Sequence, residues 1–233
     1  MSAALFEALE ASWPPASSAS AGPFRRRDGA GGGTRTSATV LDGAFSEAAL
    51  DALGPDPLFQ IRPGVTEGQK ALDQALEARG YRIVDPTVLM TAPIETIAEK
   101  PRPITLPVIW PPLAIHRRIW ETAQVGPERI AVMYRAADPK TAAIARIRDK
   151  PAGVGFVSVH EGIAMLHALY VEPPFRREGV GRDMVRGLAW WAQQNGAQTF
   201  ALAVVAANTG ARALYTALGM SEVAAYHYRE TTP

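Results

Sequence analysis

The 233-residue chain contains no cysteine. That excludes disulfides, thiolate nucleophiles and thiolate-ligated metals, and it makes a reducing compartment the natural setting. An excess of charge of one sign is missing too. The 24 Lys and Arg stand against 23 Asp and Glu, a net charge of +1, which argues against a protein that coats nucleic acid or an anionic membrane. No apolar run approaches the roughly 20 residues of a membrane span. The opening MSAALFEALEASWPP carries acids where a secretion signal needs basic residues. The expected setting is the cytoplasm, with neither nucleic acid nor membrane as partner. Histidine is scarce, and four scattered singly make no metal site. Apolar residues are plentiful at 47%, enough for one large core or two small ones.

Periodicity divides the chain into an α/β succession of elements. Leu5, Ala8 and Leu9 carry helical spacing that stops at Pro14 and Pro15. GPFRRRDG and TRTSATVL read as two strands joined through the glycines of AGGG, with Arg25, Arg26 and Arg27 on a strand wet on both faces. Residues 44–53 predict a short helix and PLFQI a short strand. TEGQKALDQALEARG predicts a helix stopped by Gly80, and YRIVDPTVLM a strand. The proline-dense KPRPITLPVIWPPL reads as a crossing between two units, a smaller α+β unit over residues 1–101 and a larger one over 102–233. Beyond it LAIHRRIWETAQ predicts a helix, while ERIAVMYRA, TAAIARIRD, AGVGFVSVHEG and IAMLHALYVEP predict strands. VGRDMVRGLAWWAQQNG predicts a strong amphipathic helix, followed by a strand (QTFALAVV), a helix (TGARALYTALG) and a strand (MSEVAAYHYRE). ALDQALEARGY and ARALYTALGM also resemble each other when Gly80 is set against Gly219, either as an internal repeat or as two unrelated helices that end at glycine.

Two loops contain Arg-x-x-Gly-x-Gly: Arg26, Gly29 and Gly31 in the first, Arg176, Gly179 and Gly181 in the second. Glycines so spaced let backbone N–H groups converge on a phosphate, since no Cβ blocks the approach. A phosphate site also needs a strand before the loop and a helix after it, so that free first-turn N–H groups and the helix dipole meet the anion. Only the second loop has that context. The first is followed by GGTRTSATV, which favours a strand, so a hairpin turn is expected there.

LHALYVEPPFRREGVGRDMVRGLAWWAQQNGA, with NTGARALYTALGM one strand later, resembles the acetyl-CoA-binding core of the GNAT-superfamily N-acetyltransferases. That family's pattern is a Leu-x-Val strand, a Gln/Arg-x-x-Gly-x-Gly/Ala loop that opens a helix, and a later Asn-x-x-Ala-x-x-Leu-Tyr-x-x-x-Gly-Phe. Here the strand is Leu169, Tyr170 and Val171, and the loop is Arg176, Arg177, Glu178, Gly179, Val180 and Gly181. The last motif stands as Asn208, Ala211, Leu214, Tyr215 and Gly219, with Met220 in the aromatic's place. The likeness covers roughly residues 130–230. It implies a mixed, mostly antiparallel α/β fold, and the first part is expected to be a degenerate half of the same kind.

The resemblance also implies a chemistry: acetyl transfer from acetyl-CoA, as cosubstrate, to an amine of a small molecule or a protein. Backbone N–H groups of the loop, with the charges of Arg176, Arg177 and Arg182, would take the pyrophosphate. Leu169 and Val171 would pair with the pantetheine arm on a strand splayed by a β-bulge, and Asn208 would cap its helix beside the cofactor. Tyr215 would protonate the departing thiolate. Gly80 aligned on Gly219 sets Leu76 opposite Tyr215, so the first half would lack this acid. Where family members carry an acid before Leu-x-Val, this chain has His167, a candidate general base by its titration range and equally a satisfied core residue. Glu172, His160 and Glu161 are weaker candidates. The first half is expected to shape the acceptor cleft. A catalytically silent acyl-CoA-binding module and a plain interaction protein remain as alternatives.

Overall fold

A computed structural model describes residues 2–231. Helix α1 (Ser2–Ser12) buries Leu5, Phe6, Ala8 and Leu9. Strands β1 (Ser17–Ala21) and β2 (Phe24–Asp28) form a hairpin that turns at Gly22 and Pro23. The glycine loop after β2 leads into a single helical turn, α2 (Thr34–Ser37), then β3 (Thr39–Leu41), α3 (Glu47–Leu53), β4 (Leu58–Ile61), α4 (Gln69–Ala78) and β5 (Arg82–Pro93). The short α5 (Ile94–Ile97) and β6 (Val108–Ile109) flank the proline-rich crossing. There follow α6 (Ala114–Thr122), α7 (Pro127–Arg135), β7 (Lys140–Ile147), β8 (Lys150–His160), β9 (Ile163–Val171), α8 (Val180–Gln194), β10 (Thr199–Val205), α9 (Thr209–Ala217) and β11 (Ser221–Glu230).

All of the strands join one 11-stranded sheet in the order β1-β2-β3-β4-β11-β5-β10-β9-β8-β7-β6. Two pairs are parallel, β3 with β4 and β9 with β10, and the rest are antiparallel. The last strand of each part is inserted into the other: β5 lies between β10 and β11, and β11 between β4 and β5. Helices α5, α8 and α9 share one core with the second part of the sheet. Helix α1 on one side, and α6 with α7, cover β8 and β9 from the opposite face. Helices α3 and α4 bury Phe24, Leu41, Phe59 and Ile61 of the first part.

Three local expectations are corrected. ERIAVMYRA is the helix α7, started by Pro127 at its first position, with Ile130, Val132 and Met133 buried. The glycines of AGGG do not form a tight hairpin turn: β2 and β3 pair antiparallel only at Phe24 with Leu41 and Arg25 with Val40, and the helical turn α2 stands between the glycines and β3. Thr36 and Ser37 hydroxyls donate to the Gly33 carbonyl and hold the turn that follows. Arg27 is buried rather than wet: it donates to the Ala38 carbonyl at 2.6 Å and to Gln60 at 2.9 Å.

Candidate active site

Strands β9 and β10 pair from Ile163 opposite Thr199 to Leu166 opposite Leu202, and no further. There β9 bends away. Its register with β8 slips between Phe156, opposite His167, and Val154, opposite Tyr170, and Ala168 takes φ +48°. This is a bulge with one extra residue, the device that bends a strand locally. The Trp120 indole N–H donates to the Ala168 carbonyl at 2.8 Å and pins it. The bulge re-phases the strand: Leu169 and Val171 join Ala164 and Leu166 on the α8 face, while Ala168 and Tyr170 turn to α6 and α7. Leu169 and Val171 therefore border a wedge in which β9 has no strand partner on the β10 side.

The loop before α8 closes the wide end of that wedge. Arg177 and Gly179 have φ +65° and +84°, and such alternation turns successive N–H groups toward one point. Among the described residues none of the backbone N–H groups of residues 177–182 has an acceptor; the first satisfied one is Asp183, which donates to Gly179 at 3.0 Å. A Cβ on Gly181 would stand 3.3 Å from Leu214 and 3.8 Å from Val171, so this glycine marks where β9, α8 and α9 converge. The loop's side chains are partly spent. Arg176 donates to the Val171 carbonyl at 3.0 Å and lies over the Tyr170 ring, and Arg182 pairs with Asp183 at 3.1 Å. Glu178, whose charge would repel an anion, is paired with Arg148.

The first glycine loop is built differently. Its Ala30 N–H donates to the Asp28 carboxylate at 2.8 Å and its Gly32 N–H to the Gly29 carbonyl at 2.9 Å. A Cβ on Gly31 would meet the Glu128 side chain at 2.8 Å, and one on Gly32 would meet Val132 at 2.6 Å. These glycines seat the loop against α7, with carboxylates where a phosphate would have to sit.

Tyr215, 7% exposed on α9, has its phenol pushed up to about 12 by burial, so it carries its proton at neutral pH. Asn208 caps α9 by accepting from the Ala211 N–H at 3.1 Å.

His167 lies at the bulge, 5% exposed, between the Trp13 and Phe156 rings. Its Nδ1 is 3.3 Å from Arg35 Nη1 and its Nε2 is 2.8 Å from Ser12 Oγ. A guanidinium only donates, so Nδ1 accepts and Nε2–H donates to Ser12, whose hydroxyl passes on to the Leu9 carbonyl at 3.2 Å. Burial and the Arg35 charge hold the imidazole well below its usual titration range. Of the two readings of His167, general base and satisfied core residue, this geometry fits the second, because the acceptor nitrogen is occupied and a second proton would face Arg35. His160 ends β8 and Glu161 sits in the turn after it, at the other end of β9 from the bulge.

A cavity of about 220 Å³ reaches the same bulge from the face opposite α8. Trp13, Val125, Ala168 and Val205 form its apolar part; Arg35, Tyr226 and Asp85 are among its polar lining. Gly33, Thr34, Arg35, Asp85 and Thr87 come from the first part of the chain, so both parts build the wall. A larger cavity of about 390 Å³ lies between α8, β7 and the proline-rich segment, away from Leu169, Asn208 and Tyr215.

The acetyltransferase (GNAT) family matches residues 106–220, which take in the wedge, the loop and Tyr215. That stretch is a GNAT-family acetyltransferase domain. The chain is 29% identical over 235 residues to the uncharacterized N-acetyltransferase YobR of Bacillus subtilis, covering 94% of each chain. Its fold is similar to that of a GCN5-related N-acetyltransferase from Kribbella flavida, with a TM-score of 0.75 at 16% identity over 100% of this chain and 96% of that one. It is also similar to a tandem GNAT protein from the clavulanic acid biosynthesis pathway, with a TM-score of 0.53 at 13% identity over 84% and 76% of the two chains.

Beside this acetyltransferase domain stand residues that no local signal in the sequence announced. Ser12, Trp13 and Arg35 reach the bulge from α1 and α2, and Asp85 from a bulge in β5. Asp85 at φ +46° is followed by proline, and an acid at the kink of a strand is the one sign that could have marked it.

Proposed function

We propose that the chain moves the acetyl group of acetyl-CoA to a primary amine by direct attack, with the cosubstrate in the β9–β10 wedge and the amine in the 220 Å³ cavity. The observation that carries this reading is the run of acceptor-free N–H groups at residues 177–182, set where a helix starts beside an unpaired strand edge. Those groups fit a pyrophosphate, with Arg177 and Arg182 supplying charge. Acetyl-CoA supplies an activated acyl group. The free edge of β9 at Leu169 and Val171 orients the pantetheine amides, and a backbone N–H near Leu169 faces the developing oxyanion. The amine nitrogen bonds to the thioester carbon, the C–S bond breaks, and the sulfur takes the Tyr215 proton, which solvent restores. The surplus proton on nitrogen leaves to water at the cavity mouth, where Asp85 stands.

The engagement of His167 supports a second reading, a silent acyl-CoA-binding module, which would bind the cosubstrate without turnover. We further propose that residues 1–101 are a degenerate half of the same fold as residues 102–233. Its support is the near-symmetric strand order and the shared ends of α4 and α9: Tyr81 N–H donates to Leu76 at 3.0 Å and Met220 N–H to Tyr215 at 3.1 Å, each across a left-handed glycine.

Calorimetric titration of acetyl-CoA tests the reading, with Gly181→Glu as the variant and its melting temperature as the folding check. Micromolar binding by the native chain, lost in the folded variant, is expected. Absence of binding by the native chain overturns it, and binding without acetylation of any amine in a broad panel leaves the silent module.

A further inference from the structure

The acceptor cavity holds positive charge that the fold does not balance. Arg35 donates to the Tyr226 hydroxyl at 3.3 Å and to His167 Nδ1 at 3.3 Å, and neither partner is an anion. Among the described residues it makes no ion pair. Nor does Arg129, the second arginine of the wall, which donates to the Gln124 carbonyl at 3.4 Å. Elsewhere in the first part the rule is the reverse, since Arg25, Arg26, Arg27, Arg62 and Arg79 each meet a carboxylate. Glu10 shares a small void with Arg35, yet it is held by Arg25 and Arg27. A guanidinium drawn partly out of water without a counter-ion is unfavourable, unless a ligand brings the anion.

The remaining polar wall has the opposite sign at one point. Asp85 lines the same cavity from a bulge that sets Asp85 and Pro86 against the single residue His227. Its φ of +46° is uncommon outside glycine and is held where surrounding structure over-determines it. The cavity, at about 220 Å³, is smaller than the roughly 300–1,000 Å³ typical of drug-sized ligands. Two cations and one carboxylate around so small a space are complementary to a zwitterion.

We propose that the acceptor is a small amine that also carries a carboxylate, an amino acid or a close analogue, with its carboxylate on Arg35 and its amine toward Ala168. This rests on the acetyltransferase reading of the site. Arg35 offers the planar fork that matches a carboxylate, Tyr226 and Arg129 stand beside it, and Asp85 attracts the ammonium before it loses its proton. His167 is a positioning residue: its neutral Nδ1 orients the guanidinium from behind.

The test compares initial rates on matched pairs, each amino acid against its carboxamide, and pairs them with calorimetric binding of N-acetyl amino acids against their amides. A preference in kcat/KM of about tenfold or more for the acid is expected, with the same preference in binding. Arg35→Met collapses the ratio toward one. Because Arg35 also braces α2, the exposed Arg129→Gln serves as a second variant, and it narrows the ratio at unchanged melting temperature. His167→Asn raises KM for the amino acid more than it lowers kcat, which a merely structural loss would not do. Equal rates and equal binding for acid and amide overturn the inference while leaving acetyl transfer intact. An acid preference that survives both arginine variants overturns the assignment of the carboxylate to them. Failure to acetylate any amine counts against the acetyltransferase reading instead, and the calorimetric arm still decides the carboxylate.

Discussion

Burial acts on Tyr215 and His167 in the same electrostatic direction and with opposite chemical results. It favours the neutral form of each, which keeps a proton on the phenol and weakens the imidazole's ability to take one. Tyr215→Phe removes the donor with little change of shape. Steady-state kinetics should show kcat lowered by roughly 10²-fold or more, with acetyl-CoA affinity by calorimetry unchanged. A kcat close to the native one would remove Tyr215 from the reaction. The tyrosine's place on α9 was legible because Asn208, Tyr215 and Gly219 sit on one helix and its two ends. The state of His167 was not, since it is set by Ser12 and Arg35, 155 and 132 positions away.

The two glycine loops show how an element's neighbours decide what a shared pattern does. One opens the 15-residue helix α8 with its N–H groups free; the other opens a 4-residue turn with the Ala30 and Gly32 N–H groups spent and the glycines Gly31 and Gly32 pressed on α7. Gly32→Ala puts a Cβ 2.6 Å from Val132 and 2.9 Å from the Gly29 carbonyl. Overpacking of this kind should cost about 1–3 kcal/mol in urea unfolding and leave acetyl-CoA affinity as it was. A parallel loss of affinity would return the first loop to contention as the phosphate site. The strands and helices around the wedge were readable from periodicity, whereas α7 was misread because Ile130, Val132 and Tyr134 favour strands locally. Packing against β7 and β8 overrides that preference, and Gly126-Pro127 was the start signal available in the sequence.

At the scale of the molecule, β10 and β11 do not touch as strands, because β5 lies between them. No pattern in the chain reveals that exchange, since it concerns which half receives each strand rather than where strands occur. Residues 102–233 expressed alone lack β5 and should show no cooperative thermal transition by circular dichroism; a sharp transition would mean the half closes without it. The same shared interior makes stability sensitive to acid. His167 is held well below its usual range by burial and Arg35, and burial lowers His116 to about 4. An unfolded histidine binds its proton near pH 6.5, so below that pH the unfolded chain holds protons that these two sites refuse. Stability is full above pH 6.5 and falls as pH drops, by about 1.4 kcal/mol per pH unit for each histidine. The lowered carboxylates Glu10, Asp42 and Asp73 contribute in the same direction, but at still lower pH, as they take up protons in turn. Urea unfolding between pH 6 and 4.5 should therefore give a slope near that of two protons. His116→Gln, which removes one of them, should reduce the slope by about one proton's worth, and an unchanged slope would mean that His116 already titrates freely in the folded chain.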